Sequence, residues 1–256
     1  MLILAVCAIV TARFGHTLQL PAMTVRDTAL LIANRYVDNP VPDIALVGSS
    51  IAYRLREEYF STPGLRNLAL PGGSALTGLE IIARQRQLPK LIVFETNVMS
   101  RPIDTEVIER SAARTGGETW FLLPVRNAIG TYENWKHEPP TYAQFEPTLR
   151  YLLAQPPSDF DNRAHLDVAV RRWDSEDPSA VVATNVDALR RLVDVLEQRG
   201  ARVLLMEVPC ADPIEASLFA RKTREIVHAA FPDAARWLPI EVQRSELRWN
   251  DGVHLD

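Results

Sequence analysis

The chain has 256 residues, of which 47% are hydrophobic and 23% charged, and its formal net charge is −4. This composition is typical of a soluble globular protein with enough apolar material for a sizeable core. The negative charge argues against nucleic acid as the main partner, because a nucleic-acid-binding face needs excess lysine and arginine. The two cysteines, Cys7 and Cys210, lack the close spacing of a metal or redox site and are interpreted as free or buried thiols.

The N-terminal segment is apolar from residue 1 to residue 10 and is followed by Thr11 and Arg13. It is short for a membrane span, and no positive charge precedes it. Two interpretations remain open for residues 1–23: the remnant of a signal or membrane anchor, and a buried helix. We favour the anchor, and with it a periplasmic or membrane-tethered location over a cytoplasmic one.

In chain order, helical and strand patterns then alternate. Helical spacing of apolar residues predicts helices at 24–37, 50–59, 74–87, 180–199 and 214–230. Short apolar runs predict strands at 44–47, 65–70, 90–95 and 201–208, with a fifth at 236–242. This alternation indicates an α/β fold of three layers, α/β/α, around a parallel sheet of about five strands.

The pattern is looser at about residues 98–178, where prolines and tryptophans recur. We interpret this stretch as an insertion with some helix, for example at 142–154, within a single domain at 24–256. Its tryptophans and tyrosines suit either a carbohydrate-binding cleft or core and lid packing.

Three polar segments follow predicted strands, where ligands of open parallel sheets bind. Ser49 and Ser50 follow a glycine and open a helix, so that either a nucleophile or an ordinary helix cap fits them. The amide of Gly72 or Gly73 suits an oxyanion donor or a plain turn. Asn97 suits a second oxyanion donor or an Asx turn.

A fourth segment, Asn-Asp-Gly-Val-His at 250–254, lies near the end of the chain. Asp251 and His254 are three residues apart across a glycine-containing turn, which lets the carboxylate orient the imidazole as a general base for a serine. A surface turn or a pair of metal ligands also fits this spacing. We expect no metal, because further ligands are not grouped in the sequence.

Together the four segments, in this order, resemble those of the SGNH (GDSL-like) hydrolase superfamily. The matches are Gly-Ser-Ser at 48–50, the block from Asn67 to Gly72, Asn97, and the terminal Asp-x-x-His. The resemblance covers residues 43–99 and the last few residues. It implies a flavodoxin-like SGNH hydrolase fold with a catalytic triad of Ser50, His254 and Asp251. It also implies an oxyanion hole formed by Ser50, Gly72 and Asn97.

The resemblance further implies an esterase or O-acyltransferase that acts on acyl esters without metal or organic cofactor. The Gly-Ser-Ser form looks like the bacterial cell-envelope branches, so that the expected partner is a small-molecule or polysaccharide acyl ester. An alternative from another class is a catalytically idle SGNH domain that binds a polysaccharide or a protein partner in envelope assembly.

Two features depart from the family pattern. Glu95 stands where the third block often has glycine, so we expect a different loop there. Relatives usually continue beyond the histidine into a helix, whereas this chain ends at Asp256. Either the helix is absent or the chain is shorter than its relatives, and its loss is expected to leave His254 mobile and to lower activity.

Overall fold

A computed structural model describes residues 6, 25–113, 140–156, 161–175 and 177–255 of the chain. Except for Val6, the predicted anchor at 1–23 lies outside these residues, as do residues 114–139, 157–160 and 176 of the predicted insertion. Within the described ranges, no helix is long and apolar enough to cross a membrane.

The described strands form one parallel sheet in the order β2-β1-β3-β4. They are β1 (Ile44–Val47), β2 (Leu65–Asn67), β3 (Leu91–Glu95) and β4 (Arg202–Met206). Ile44 lies opposite both Leu65 and Leu91, so the three strands begin level with one another. Their carboxyl ends therefore also meet at one edge. The prediction of an α/β fold with a parallel sheet is confirmed.

Nine α-helices lie in the described part of the chain. They are α1 (Val25–Asp38), α2 (Ser50–Tyr53), α3 (Ala75–Ala83), α4 (Thr105–Ala113), α5 (Tyr142–Leu153), α6 (Arg163–Asp174), α7 (Ser179–Gln198), α8 (Asp212–Glu215) and α9 (Leu218–Ala230). Short 3₁₀ turns occupy Glu57–Tyr59, Ala234–Arg236 and Arg244–Glu246.

Alternate residues of β1 and β3 belong to two separate hydrophobic clusters, as expected for a sheet covered on both faces. In β1, Ala45 and Val47 pack with side chains from α1, α3, α4, α7 and α9. Leu46 packs on the opposite face, with side chains from α2, α6, α8 and the C-terminal loop. The second face is the one that carries the predicted histidine.

The predicted fifth strand at 236–242 is wrong in extent. Trp237 makes one isolated parallel bridge to Leu205, and the amide of Leu238 donates to the Leu205 carbonyl at 2.8 Å. Pro239 follows at once, and proline has no amide hydrogen with which to extend a ladder. The described sheet therefore has four strands.

Three predicted helices are shorter than expected, and the one at 74–87 ends at Ala83. The helix at 50–59 ends at Tyr53, where the Asn67 side chain donates to the carbonyls of Ala52 and Leu55 at 2.9 and 2.8 Å. These bonds satisfy carbonyls that a longer helix would use. The helix at 214–230 divides into α8 and α9, because the Ser217 side chain caps the start of α9. Gly200 follows α7 with φ +92°, the left-handed conformation that is common at the residue after a helix.

Candidate active site

The turn after β1 places Ser50 at the carboxyl edge of the sheet. Gly48 is buried, and a Cβ there would lie 2.4 Å from the Cβ of Ala52, so only glycine fits. The Gly48 carbonyl accepts a hydrogen bond from the amide of Leu70 at 2.9 Å, which ties the turn to the segment after β2. Ser50 is the first residue of α2, and its side chain is partly exposed.

The neighbouring Ser49 is fully buried. Its side chain is the N-cap of α2 and accepts from the amide of Ile51 at 3.2 Å. Its own amide donates to Oε2 of Glu95 at 2.7 Å. Ser49 therefore acts as a structural cap, and Ser50 is the serine of this pair that a substrate can reach.

The C-terminal loop brings His254 to Ser50, 204 residues away in sequence. The His254 Nε2 atom lies 2.9 Å from Ser50 Oγ, and Nδ1 lies 2.7 Å from Oδ2 of Asp251. The other carboxylate oxygen, Oδ1, accepts from the amides of Val253 and His254 at 3.0 and 2.8 Å. The structure thus brings the three predicted triad residues into one chain of hydrogen bonds.

The environment of Asp251 keeps its carboxyl group ionised. Partial burial by itself raises the pKa of Asp251, but hydrogen bonds from the amide and ring of His254 and from the Val253 amide outweigh it and lower the pKa. A carboxylate can only accept, so in the neutral imidazole Nδ1 carries the hydrogen and the lone pair of Nε2 faces the Ser50 hydroxyl. This is the tautomer that a general base requires.

The loop that carries His254 is irregular and is held by its neighbours. Gly252 has φ +86°, and its carbonyl accepts from the amide of Ala211 at 2.8 Å. Trp249 donates through Nε1 to the Pro209 carbonyl at 3.1 Å, and its own carbonyl accepts from the Asn162 side chain at 2.6 Å. His254 is therefore positioned by the start of α6 and by the segment after β4.

Gly72 occupies the turn that follows β2, at the same edge of the sheet. Its φ is +72°, and its amide has no hydrogen-bond acceptor among the described residues. The next amide, that of Gly73, donates to the Leu70 carbonyl at 2.9 Å. Of the two glycines considered as oxyanion donors, Gly72 is the one with its amide available.

Asn97 follows β3, but its side chain is engaged with the protein. Its Nδ2 donates to the Val208 carbonyl at 2.7 Å and lies 3.8 Å from Sγ of Cys210, while Oδ1 accepts from the Val208 amide at 2.8 Å. Burial raises the pKa of the Cys210 thiol to about 12, so it remains neutral. One Nδ2 hydrogen of Asn97 is used by the Val208 carbonyl, and the other makes only a weak contact with the Cys210 sulfur. The role of Asn97 as an oxyanion donor stays a prediction.

Sequence reasoning gave no role to two residues that support this edge. Glu95 appeared only as a departure from a motif, yet it is fully buried and bonds to the amide of Ser49. Arg101 donates through Nη1 to the Gly73 carbonyl at 3.0 Å, which holds the glycine turn. The available signal for Glu95 was a charged residue at the end of the apolar run Leu-Ile-Val-Phe. No comparable signal marked Arg101.

Other polar and aromatic residues have structural roles or lie outside the described ranges. Glu207 pairs with Arg224 and lies 3.1 Å from His228, whose ring stacks on Trp237. Trp173 packs against Phe219, and Tyr151 is exposed. Residues outside the described ranges include Cys7, His16, Trp120, Tyr132, Trp135 and His137. Across the described ranges, no three His, Cys, Asp or Glu side chains are grouped to hold a metal ion.

No protein-family model matches the chain, and no curated protein is significantly similar to it. The resemblance to SGNH hydrolases therefore depends on the four motifs and their order.

Proposed function

We propose that the chain is a serine-dependent esterase or O-acyltransferase of the SGNH type that acts on an acyl ester. The observation that carries this proposal is the hydrogen-bonded series Ser50–His254–Asp251, with distances of 2.9 and 2.7 Å. Its position at the carboxyl ends of parallel strands is where open α/β sheets bind ligands. A nucleophile, its base and an orienting carboxylate form the arrangement required for acyl transfer.

The order of the strands supports the finer proposal of a flavodoxin-like, three-layer α/β/α fold. Flavodoxin-like sheets have the order 2-1-3-4-5, and the described strands follow its first four positions. The two hydrophobic clusters, one on each face of the sheet, support a three-layer arrangement.

In the first half of the proposed reaction, Ser50 Oγ attacks the ester carbonyl while His254 Nε2 takes the hydroxyl proton. The tetrahedral intermediate collapses, its bond to the alcohol oxygen breaks, and the alcohol leaves with the proton from His254. In the second half, His254 deprotonates a water or a sugar hydroxyl, which attacks the acyl-Ser50 ester. The products are a free acid or a new ester, and Ser50 recovers its proton.

The negative charge on the carbonyl oxygen would be stabilised by hydrogen-bond donors at the sheet edge. The amides of Ser50 and Gly72 are the donors that we assign. Asn97 would join them if its second amide hydrogen left Cys210. Each step uses protein groups and the acceptor alone, so the proposed reaction gives no role to a metal or organic cofactor.

We propose a small-molecule or polysaccharide acyl ester of the cell envelope as the substrate. This part of the proposal relies on the Gly-Ser-Ser form of the first motif and on the apolar residues 1–10. A periplasmic or membrane-tethered location is proposed on the same grounds.

Hydrolysis of p-nitrophenyl acetate by the purified protein tests the proposal, with Ser50→Ala and Ser49→Ala as a matched pair. We expect Ser50→Ala to abolish turnover. Ser49→Ala should retain a measurable rate, because Ser49 is a buried cap. Activity that survives in Ser50→Ala would show that the nucleophile is misassigned.

If wild type and Ser50→Ala are equally inert, free hydrolysis is excluded. Transfer to a sugar hydroxyl, followed with acetylated donors, then separates an acyltransferase from a domain that only binds a polysaccharide or partner.

A further inference from the structure

Glu95 is a carboxylate at the end of β3 in the interior of the sheet, with a relative exposure of 0%. Moving a carboxylate out of water is costly unless the protein replaces its hydration with hydrogen bonds. A glutamate at such a position therefore calls for an explanation from its contacts.

The contacts of Glu95 join two loops of the candidate site. Its Oε2 accepts from the amide of Ser49 at 2.7 Å, and its Oε1 accepts from the amide of Val98 at 3.2 Å. Ser49 directly precedes Ser50, and Val98 directly follows Asn97. One side chain thus links the turn after β1 to the loop after β3.

The glycine before the two serines is complementary to this side chain. A Cβ on Gly48 would lie 2.9 Å from the Cβ of Glu95 and 3.0 Å from its Oε2. The Glu95 side chain therefore packs directly against the backbone of the turn. Any residue type other than glycine at position 48 would leave no room for it. The Gly-Ser-Ser motif and Glu95 form one packed unit.

The remaining donors around Glu95 come from this unit and from the loop after β3. Burial raises the pKa of Glu95, whereas hydrogen bonds from the Ser49 side chain and from the amides of Ser49, Asn97 and Val98 oppose that rise. Arg101, which holds the Gly73 carbonyl, supplies a favourable positive charge nearby. All these groups belong to the loops that carry Ser50, Gly72 and Asn97.

We infer that Glu95 is a positioning residue that holds the Ser50 turn in register with the loop of Asn97. The inference rests on the proposed function of Ser50 as the nucleophile. Without the carboxylate, the amides of Ser49 and Val98 would no longer both have an acceptor on this side chain, and the loops that carry them would move. A displacement of about 1 Å at a reacting group costs on the order of 10²-fold in rate, while substrate affinity can remain unchanged.

The test uses Glu95→Gln, which preserves the volume of the side chain but replaces one acceptor oxygen with an NH₂ donor. Ser217→Ala is the matched control, because it removes a buried cap of α9. Two measurements are made on each: kcat and KM for p-nitrophenyl acetate, and the ¹H–¹⁵N chemical shift of the Ser49 amide. The amide shift reports the hydrogen bond whether or not the protein turns over the ester.

We expect Glu95→Gln to lower kcat roughly 10- to 100-fold with KM little changed, and to move the Ser49 amide proton upfield. Ser217→Ala should lower the melting temperature and leave both measurements as in wild type. If Glu95→Gln does not fold, Glu95→Asp replaces it. Its carboxylate is one methylene shorter and cannot reach both amides, so the same changes are expected in smaller degree.

A Glu95→Gln protein with the kcat of an active wild type would overturn the inference, and so would an unchanged Ser49 amide shift. If the wild type is inert both toward p-nitrophenyl acetate and in acyl transfer to a sugar hydroxyl, the proposed function fails. An upfield Ser49 shift in Glu95→Gln would then still support the positioning of the turn by Glu95.

Discussion

The Ser50 turn and the His254 loop meet at one hydrogen bond, but they are built in different ways. The turn at 48–50 lies between two strands of the sheet, with Gly48 and Ser49 buried and Glu95 packed against them. The loop at 249–255 contains no strand of the sheet. It is held by hydrogen bonds with Asn162 and with the segment at 209–211, and Val253 and Leu255 pack in the second hydrophobic cluster.

This difference separates two determinants of the candidate site. The position of the serine depends on the sheet, whose backbone ladders are shared by many residues and resist local change. The position of the histidine depends on a few contacts with α6 and the segment after β4, so it can be altered by one substitution. Four predictions test this contrast between the turn and the loop.

The largest effect is expected from His254→Ala, which removes the proposed base from the loop and leaves the turn intact. Loss of general-base catalysis typically costs roughly 10²- to 10⁴-fold in rate. We expect kcat for p-nitrophenyl acetate to fall within this range. His228→Ala is the matched control, because His228 stacks on Trp237 away from the triad. Equal losses in both variants would contradict the assigned base.

The second prediction compares the two glycines, one in each region. Gly48→Ala forces a methyl group against the backbone-anchored Cβ atoms of Ala52 and Glu95, and overpacking of this kind costs about 3 kcal/mol at its upper end. In Gly252→Ala the nearest atom is the flexible Leu166 Cδ1, at 2.3 Å, and the positive φ adds a cost of about 1 kcal/mol.

Urea unfolding of both glycine variants measures these costs. Gly48→Ala should have the lower unfolding free energy. If Gly252→Ala is the less stable of the two, the loop is the more rigid region and the contrast is reversed.

The third prediction concerns the contact between Asn162 and the Trp249 carbonyl. Asn162→Ala removes this bond of 2.6 Å, and a hydrogen bond of this kind contributes about 1 kcal/mol. We expect a loss of that size in thermal or urea unfolding, with a modest fall in kcat because His254 becomes less well held. Asn39→Ala, which removes an exposed bond to the Arg35 carbonyl, serves as the control. Equal kcat values in both variants would show that Asn162 does not position the loop.

The smallest effect is expected from the ionisation of Asp251. Its pKa is lower when folded, so its carboxylate stabilises the fold at pH values above the ordinary value of about 4. That contribution is lost as the pH falls through the lowered pKa. The side chain is 35% exposed, so solvent screens the interaction. The difference in urea midpoint between wild type and Asp251→Asn should therefore be small near pH 6 and disappear in acid. A difference that grows in acid would contradict a pKa of Asp251 that is lower in the folded state than in the unfolded state.

Local sequence patterns were sufficient for much of the sheet and for the position of the serine. The apolar runs at 44–47 and 90–95 correspond to β1 and β3, and Ser50 follows β1 as its spacing predicts. The same patterns also predicted a strand at 236–242, because the apolar residues there indicate a strand although Pro239 interrupts them. They also predicted a helix at 50–59. This helix ends early because the Asn67 side chain, from a strand that is distant in sequence, bonds to its last carbonyls.

Sequence alone determined the α/β class, the four motifs and their order, since periodicity and glycine or serine placement are local properties of the chain. The tertiary structure decided that Ser50 rather than Ser49 faces His254, that the Asn97 amide is bonded to Val208, and that Glu95 lies beneath the turn. These outcomes depend on which segments are neighbours in space. Contacts between residues up to 204 positions apart leave no periodic signal in the sequence.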